Sequence, residues 1–113
     1  MENIIFNELI FRGLSVDVGM VRHDETIQGR VTRKQLEVDF VANRGSQRYY
    51  IQSAYAIPDK EKLEQEQRSL RAIPDSFKKI ILVDTPSPVW RSDAGITIMN
   101  LQDFLLNPKS LDA

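Results

Sequence analysis

LEVDFVANRGSQRYYIQSAYAI, residues 36–57, is the stretch that decides the fold. Leu36, Val38, Phe40 and Ala42 alternate with Glu37, Asp39 and Val41, the period of a strand with one buried face. Asn43-Arg44-Gly45-Ser46 is a cluster of turn formers. Arg48 to Ile57 is then a second strand, rich in Tyr and Ile. So short a link makes the two strands antiparallel neighbours and brings Asp39 beside Gln52. Gln52 and Ala54 share a face, because strand side chains alternate. An acid set between large apolar residues on a strand is the position from which a functional reading starts.

Working outward, Leu14, Val16, Val18 and Met20 alternate with Ser15, Asp17 and Gly19, giving a strand before the hairpin. Residues 22–33 are polar, contain Gly29, and read as a loop. Ahead of these, Met1, Ile5 and Leu9 recur at spacing four, Ile4, Phe6, Ile10 and Phe11 widen the stripe, and Gly13 is a natural helix stop. That is more apolar surface than one core face needs. The helix is therefore expected to belong to a longer protein and, in this chain, to self-associate, as a symmetric homodimer by the usual geometry.

Downstream, Pro58-Asp59 opens a charged helix over Lys60 to Ala72 with a thin stripe of Leu63, Leu70 and Ile73, closed by Pro74. Its charged face reads as solvated surface. Lys79 to Asp84 is apolar enough for a central strand buried on both sides, and the passage from Ile51 to Val83 would be a right-handed crossover. A loop from Thr85 to Gly95 carries Trp90, read as a lid on the core. Ile96 to Met99 is a strand. Asn100 caps a last helix with Asp103 as its reciprocal acid, and Phe104, Leu105 and Leu106 supply its buried side. The tail, 107–113, is polar and expected to fray. The class is α/β: helix, three-strand meander, helix, strand, strand, helix, with a mixed sheet and helices on both faces, all in one domain over 1–106.

The chain has 113 residues, net charge −1 and no cysteine. The last excludes disulfides, thiolate metal sites and a cysteine nucleophile, and fits a reducing cytoplasm. No apolar run of about 18 residues exists to span a membrane. The single histidine, His23, lies beside Asp24-Glu25 and reads as solvated, so no Ser/His/Asp set can be credited. No Gly-rich phosphate loop is present, so this chain itself should not bind ATP. Between residues 22 and 48, Arg22, Arg30, Arg33, Lys34, Arg44 and Arg48 outnumber Asp24, Glu25, Glu37 and Asp39 by two. That is solvated hairpin surface or a modest phosphate-tracking face.

A metal-dependent phosphodiesterase needs carboxylates converging on Mg²⁺, which takes hard oxygen ligands. It also uses a lysine to steady the developing charge. Asp39 supplies one acid. Glu8, among apolar neighbours on the first helix, is a second candidate. The opening ENIIFNEL (2–9) with Arg12-Gly13, then EVDFVA (37–42), Tyr50-Ile51-Gln52, the 70–79 stretch and DFLL (103–106) occur in an order that resembles a known family. It is the C-terminal domain, domain of unknown function 4143, of predicted prokaryotic AAA-type ATPases, which looks like a PD-(D/E)xK restriction-endonuclease-like core. The resemblance covers nearly the whole chain.

It implies Glu8 as the helix acid, Asp39 as the central metal acid, Gln52 at the second acid's place and Ala54 at the lysine's. The last two depart from a nuclease. An amide carries no charge and Ala54 no amine, so Mg²⁺ is expected to bind weakly through Asp39 and Glu8. Cutting would need a displaced lysine: Lys34, Lys60 or Lys62. The implied role is a non-catalytic accessory domain of a P-loop ATPase, used for partner or nucleic-acid contact, with the ATPase module of the same polypeptide as the partner the resemblance implies. A live nuclease and a purely structural module are the alternatives. Against the site reading, Asp39 can pair with Arg48 across the hairpin, Glu8 can face solvent, and Gln52 can be a satisfied strand residue.

Overall fold

In the computed structural model the backbone is described for residues 1–54, 60–86 and 88–112. Side chains are described for these except 20–27, 32–37, 60–63, 65 and 66. The elements are α1 (Glu2–Phe11), β1 (Ser15–Ile27), β2 (Arg30–Arg44), β3 (Gln47–Ala54), α2 (Lys60–Arg71), β4 (Lys78–Val83), β5 (Trp90–Arg91), β6 (Thr97–Asn100), α3 (Leu101–Leu106) and a 3-10 turn, Ser110–Asp112. Among the described residues the strands form a six-stranded mixed sheet in the order β1-β2-β3-β4-β6-β5. β1, β2 and β3 are antiparallel, whereas β3, β4 and β6 run parallel, as a crossover through α2 requires.

Two cores lie on the two sides of this sheet. Ile5 and Leu9 of α1, Phe104 of α3 and Leu111 pack on Phe40, Ala42, Tyr49, Ile51, Ile80, Leu82 and Met99. Leu70 and Ile73, from α2 and the residues after it, pack on Val38, Val41, Tyr50, Ile81, Val83, Ile96 and Ile98. The strand β4 thus sends Ile80 and Leu82 to one core and Ile81 and Val83 to the other. Its unbroken apolar run has this cause. α1 ends in a Schellman motif: Leu14 N–H bonds Leu9 C=O at 3.1 Å and Gly13 N–H bonds Ile10 C=O at 2.9 Å. Gly13 stands at φ +84°, where a side chain would be strained. Asn100 caps α3 as its sequence suggests, accepting from Asp103 N–H and donating to the Asp103 carboxylate, both at 2.8 Å.

Several expectations are corrected. The polar segment 22–33 is the end of a long hairpin, not a loop. β1 and β2 stay paired to Ile27 and Arg30. A two-residue turn closes the hairpin, with Gln28 at φ 52° and Gly29 at φ 78°, as tight hairpins require. β2 pairs with β3 only from Phe40 to Arg44, so the outer hairpin leaves the sheet as a two-stranded ribbon. Apolar alternation records burial in a core, and a ribbon paired only with itself need not display it. Val18, expected inward, is exposed, because the core under α1 ends at Val16. Trp90 is no lid. It sits partly exposed on β5, at the sheet's edge. The tail is held: Ser110 and Leu111 are buried, and Tyr49 Oη donates to Asp112 at 2.6 Å. The end of the strand expected to reach Ile57, at residues 55–57, lies outside the described residues.

Candidate functional site

Asp39 occupies a β-bulge. Val18 faces Phe40 and Gly19 faces Val38, so Asp39 is an extra residue without a partner on β1. Gly19 takes φ +121° at the irregularity, open to glycine and hard for other residues. The consequence is visible in the packing. Val38 and Phe40 are two apart, yet they enter opposite cores. Past Phe40 and Ile51 the β2–β3 ladder stops, and side chains bridge the parting strands. Gln52 Oε1 accepts Asp39 N–H at 3.1 Å. Asp39 Oδ2 accepts Ser53 N–H at 2.8 Å and Ser53 Oγ–H at 2.9 Å.

The structure therefore brings Asp39 and Gln52 together, as the hairpin reading expects, but through the aspartate's backbone. Its carboxylate turns to Ser53. Period two places Ser53 with Ile51 on the α1 side and Gln52 and Ala54 with Tyr50 on the α2 side. Ala54 packs against the second core and its carbonyl accepts Asp84 N–H at 3.2 Å. The pairing of Asp39 with Arg48 is not made: Arg48 donates to Asn43 Oδ1 at 2.8 Å and stands 6.0 Å from the Phe77 ring centre.

Glu8 does not join this group through any hydrogen bond or ion pair. Its carboxylate lies 3.7 Å from Arg12 Nε, one turn on. Arg12 donates to Phe104 C=O at 2.5 Å, Asn107 C=O at 3.1 Å and Ser110 Oγ at 2.9 Å, and covers the Phe104 ring at 4.6 Å. It ties α1 to α3 and the tail, and Glu8 steadies it. The acid of α1 nearest Asp39's partners is Glu2, whose Oε1 is 3.4 Å from Ser53 Oγ. Sequence reasoning missed Ser53 and Glu2. Their signals were present: a hydroxyl between Gln52 and Ala54, and an acid in the opening ENIIFNEL.

These donors do not suit Mg²⁺. One Asp39 oxygen is saturated by Ser53, and the Gln52 oxygen by Asp39 N–H. Among the described residues no three His, Asp or Glu side chains come together to hold a cation. The side chains of Lys34, Lys60 and Lys62 lie outside those described. Of the basic residues in the hairpin stretch, Arg44 donates to Arg12 C=O, Arg48 is engaged as above, and Arg30 is exposed. The side chains of Arg22 and Arg33, and that of His23, are not described.

Elsewhere on β3, two tyrosines hold surrounding segments. Tyr50 Oη donates to Asp75 at 2.5 Å, and Lys79 Nζ closes the same turn through the carbonyls of Asp75 and Phe77 at 2.8 and 2.9 Å. Burial, then the hydrogen bond to Asp112, raises the Tyr49 phenol to about 12. Burial likewise raises Tyr50.

No family model matches the chain. It is similar to a Haemophilus influenzae protein described as uncharacterized, 33% identical over 106 residues. That match covers 94% of this chain but only 22% of the relative, so the chain spans about a fifth of the length of the curated protein it matches. Among the described residues no helix is long and apolar enough to cross a membrane.

Proposed function

We propose that this chain is a non-catalytic, degenerate PD-(D/E)xK nuclease-like accessory domain of a P-loop ATPase, used for contact with nucleic acid. The observation that carries the reading is the Asp39 bulge. An acid sits where two strands part, with Gln52 on its backbone N–H; on the family reading this strand pair carries the positions of the metal acids and the lysine. Its Oδ2 is committed to Ser53, the second acid's position holds the Gln52 amide, and the lysine's position holds Ala54, packed against the second core. Removing a single well-placed electrostatic stabiliser costs about 10²- to 10³-fold in rate, and a missing charged ligand adds to that. The relative's greater length is compatible with a domain that works as part of a larger polypeptide.

The test is cleavage and binding on labelled duplex and single-stranded DNA and RNA, with Mg²⁺ and with Mn²⁺. Binding without cleavage is the expected outcome. Metal-dependent cutting that vanishes in Asp39→Asn would overturn it in favour of a live nuclease with a displaced lysine.

A second reading, a structural module that associates with itself, is favoured by one observation. Ile4, Ile10 and Phe11 of α1 are exposed, Phe11 to 86%. Absence of any nucleic-acid binding, with a dimer in solution, would select it.

A further inference from the structure

β5 is the last strand of the sheet. The turn that follows it fixes its hydrogen-bond phase. Ser92 N–H donates to Ile96 C=O at 2.9 Å, and Ser92 C=O accepts Gly95 N–H at 2.9 Å, with Gly95 at φ 78°. Ser92 is thus turned inward. Arg91 opposite Thr97 and Trp90 opposite Ile98 continue the register. Bonded and unbonded pairs alternate along an antiparallel ladder, so Arg91 presents its own N–H and C=O to the open side. Such an edge is a template for one more strand.

A hollow of about 200 Å³ adjoins this edge on the α2 side, with Gln67, Trp90 and Asp93 in its wall. Gln67 is 3% exposed, and its Oε1 has no donor among the described residues. Buried polar atoms are almost always paired, so an unpaired one calls for a reason. The terminal torsion of glutamine is soft, and the oxygen can turn to meet a donor that enters the hollow. Asp93 is exposed and makes no ion pair among the described residues. Arg71, in the same wall, is tied to Glu64 at 2.9 Å. Trp90 is partly exposed, and the face of an indole attracts cations. Two acceptors and a π-face together suit a group that only donates and carries positive charge. A planar guanidinium is such a group.

We infer that β5 and this hollow form a docking site for an extended segment of a partner protein. The segment adds antiparallel to β5 through the N–H and C=O of Arg91, and lays an arginine over Trp90 in the hollow of Gln67 and Asp93. Antiparallel addition takes both bonds from one partner residue, which suits so short an edge. Neighbouring side chains of a strand point to opposite sides, so the residue that bonds Arg91 lies on the side of the Arg91 guanidinium. That guanidinium is exposed and makes no ion pair among the described residues, and an acid opposite it completes the charge match. The recognised sequence is therefore an acid followed by an arginine. A second copy does not fit: two-fold pairing at Arg91 would set like charges directly opposite each other. The site uses none of Asp39, Gln52, Ser53 or Glu8, and stands independently of the nucleic-acid contact proposed above.

The experiment is a titration of the whole chain with a capped hexapeptide, Thr-Val-Asp-Arg-Val-Thr, followed by Trp90 fluorescence and by calorimetry. Replacing the peptide's arginine by citrulline, which keeps the shape and loses the charge, should weaken binding about 10-fold. An N-methyl group on the aspartate amide, which faces Arg91, should abolish binding; one on the arginine amide, which faces away, should leave it unchanged. Gln67→Leu and Asp93→Asn should each weaken binding about 10-fold, as expected for loss of one hydrogen bond to a charged group. Gln67→Leu should melt no lower than wild type, because it replaces an orphaned oxygen by hydrocarbon. Its lost binding cannot then be put down to unfolding. Arg91→Pro removes an N–H that β6 does not use, so it should fold and fail to bind. Arg91→Gln keeps that N–H and should lose only about 3-fold.

Equal binding of the two methylated peptides overturns the strand addition, and decides the point even where Arg91→Pro does not fold. Equal binding of the arginine and citrulline peptides, with Gln67→Leu and Asp93→Asn like wild type, overturns the arginine site. Neither quenching nor heat at millimolar peptide rejects both. A single-stranded oligonucleotide that quenches Trp90 where the peptide does not gives this surface to nucleic acid and overturns the inference.

Discussion

Replacing Asp39 separates a structural acid from a metal acid. In the structure its Oδ2 accepts two hydrogen bonds from Ser53, at 2.8 and 2.9 Å, and no cation lies against it among the described residues. Hydrogen bonds to a charged group contribute about 1.5–3 kcal/mol each, neutral ones about 0.5–1.5. Asp39→Asn can still present an oxygen to both donors, so its cost is the difference: about 1–2 kcal/mol for the pair, allowing for partial exposure. Asp39→Ala removes the acceptor and orphans the half-buried Ser53 N–H, which raises the cost to about 2–4 kcal/mol. Gln52→Ala orphans only the Asp39 N–H and should cost about 1 kcal/mol.

Because both residues hold the same bulge, the double variant should lose less than the sum of the two. Urea unfolding in the presence of a chelator, followed by Trp90 fluorescence and by far-ultraviolet circular dichroism, measures all four proteins. If Asp39→Asn were neutral or stabilising in chelator, the reasoning would fail. The carboxylate would then be under like-charge repulsion, as expected for an empty metal cluster.

Other outcomes follow from the same contacts. Arg12→Met should cost about 2–3 kcal/mol, since it removes three charge-assisted hydrogen bonds and the cover of the Phe104 ring, while Ser110 Oγ and N–H still serve the Phe104 and Asn107 carbonyls. Glu8→Gln should cost under about 1 kcal/mol, the range of a long, partly exposed ion pair; denaturant melts rank the two, and the opposite order would restore a functional role to Glu8. The Tyr49 phenol titrates at about 12 when folded against about 10 when unfolded. Its contribution is therefore complete below about pH 10 and is lost as pH rises towards 12, on the order of 2 kcal/mol. Tyr49→Phe should flatten that part of the alkaline limb in denaturant melts between pH 9 and 12, leaving the share that belongs to Tyr50. Wild type should gain mass with concentration in analytical ultracentrifugation, and Ile4→Ser and Phe11→Ser should stay monomeric at unchanged melting temperature; a monomeric wild type at high concentration rules out association through α1.

The parts of this fold that can be read in sequence are those whose pattern is fixed by burial. KIILVD reads as a central strand because both of its faces are dry. Asn100 and Asp103 read as a cap because their roles are local. The hairpin at Gly45 placed Asp39 beside Gln52 for the same reason. What could not be read depends on three-dimensional partners. The bulge at Asp39 needs the positive φ of Gly19 and the reach of Gln52, and nothing in the alternation of 36–42 announces it. Glu2 and Glu8 are both carboxylates of one helix, and only the crossing of α1 over the sheet decides which one approaches Ser53. The docked tail depends on Arg12, about a hundred residues away in sequence. Gln67 was legible and missed: it occupies the Leu63–Leu70 stripe of α2, where a polar residue is out of place.

The extra residue in β2 is also one that the alternation does not count. Val18 faces Phe40 and Gly19 faces Val38, the register of a regular ladder with residue 39 left out. Side chains reverse sides at each step along a strand, so a chain lacking residue 39 would set Val38 next to Phe40 and keep the two on opposite sides, where they already stand. A residue gained or lost elsewhere between the bulge and the Gln28-Gly29 tip would instead slip the β1–β2 pairing by one. Homologous chains should therefore tolerate loss of the bulge residue, whereas other changes of length in the outer hairpin should come as balanced pairs on the two strands near the tip.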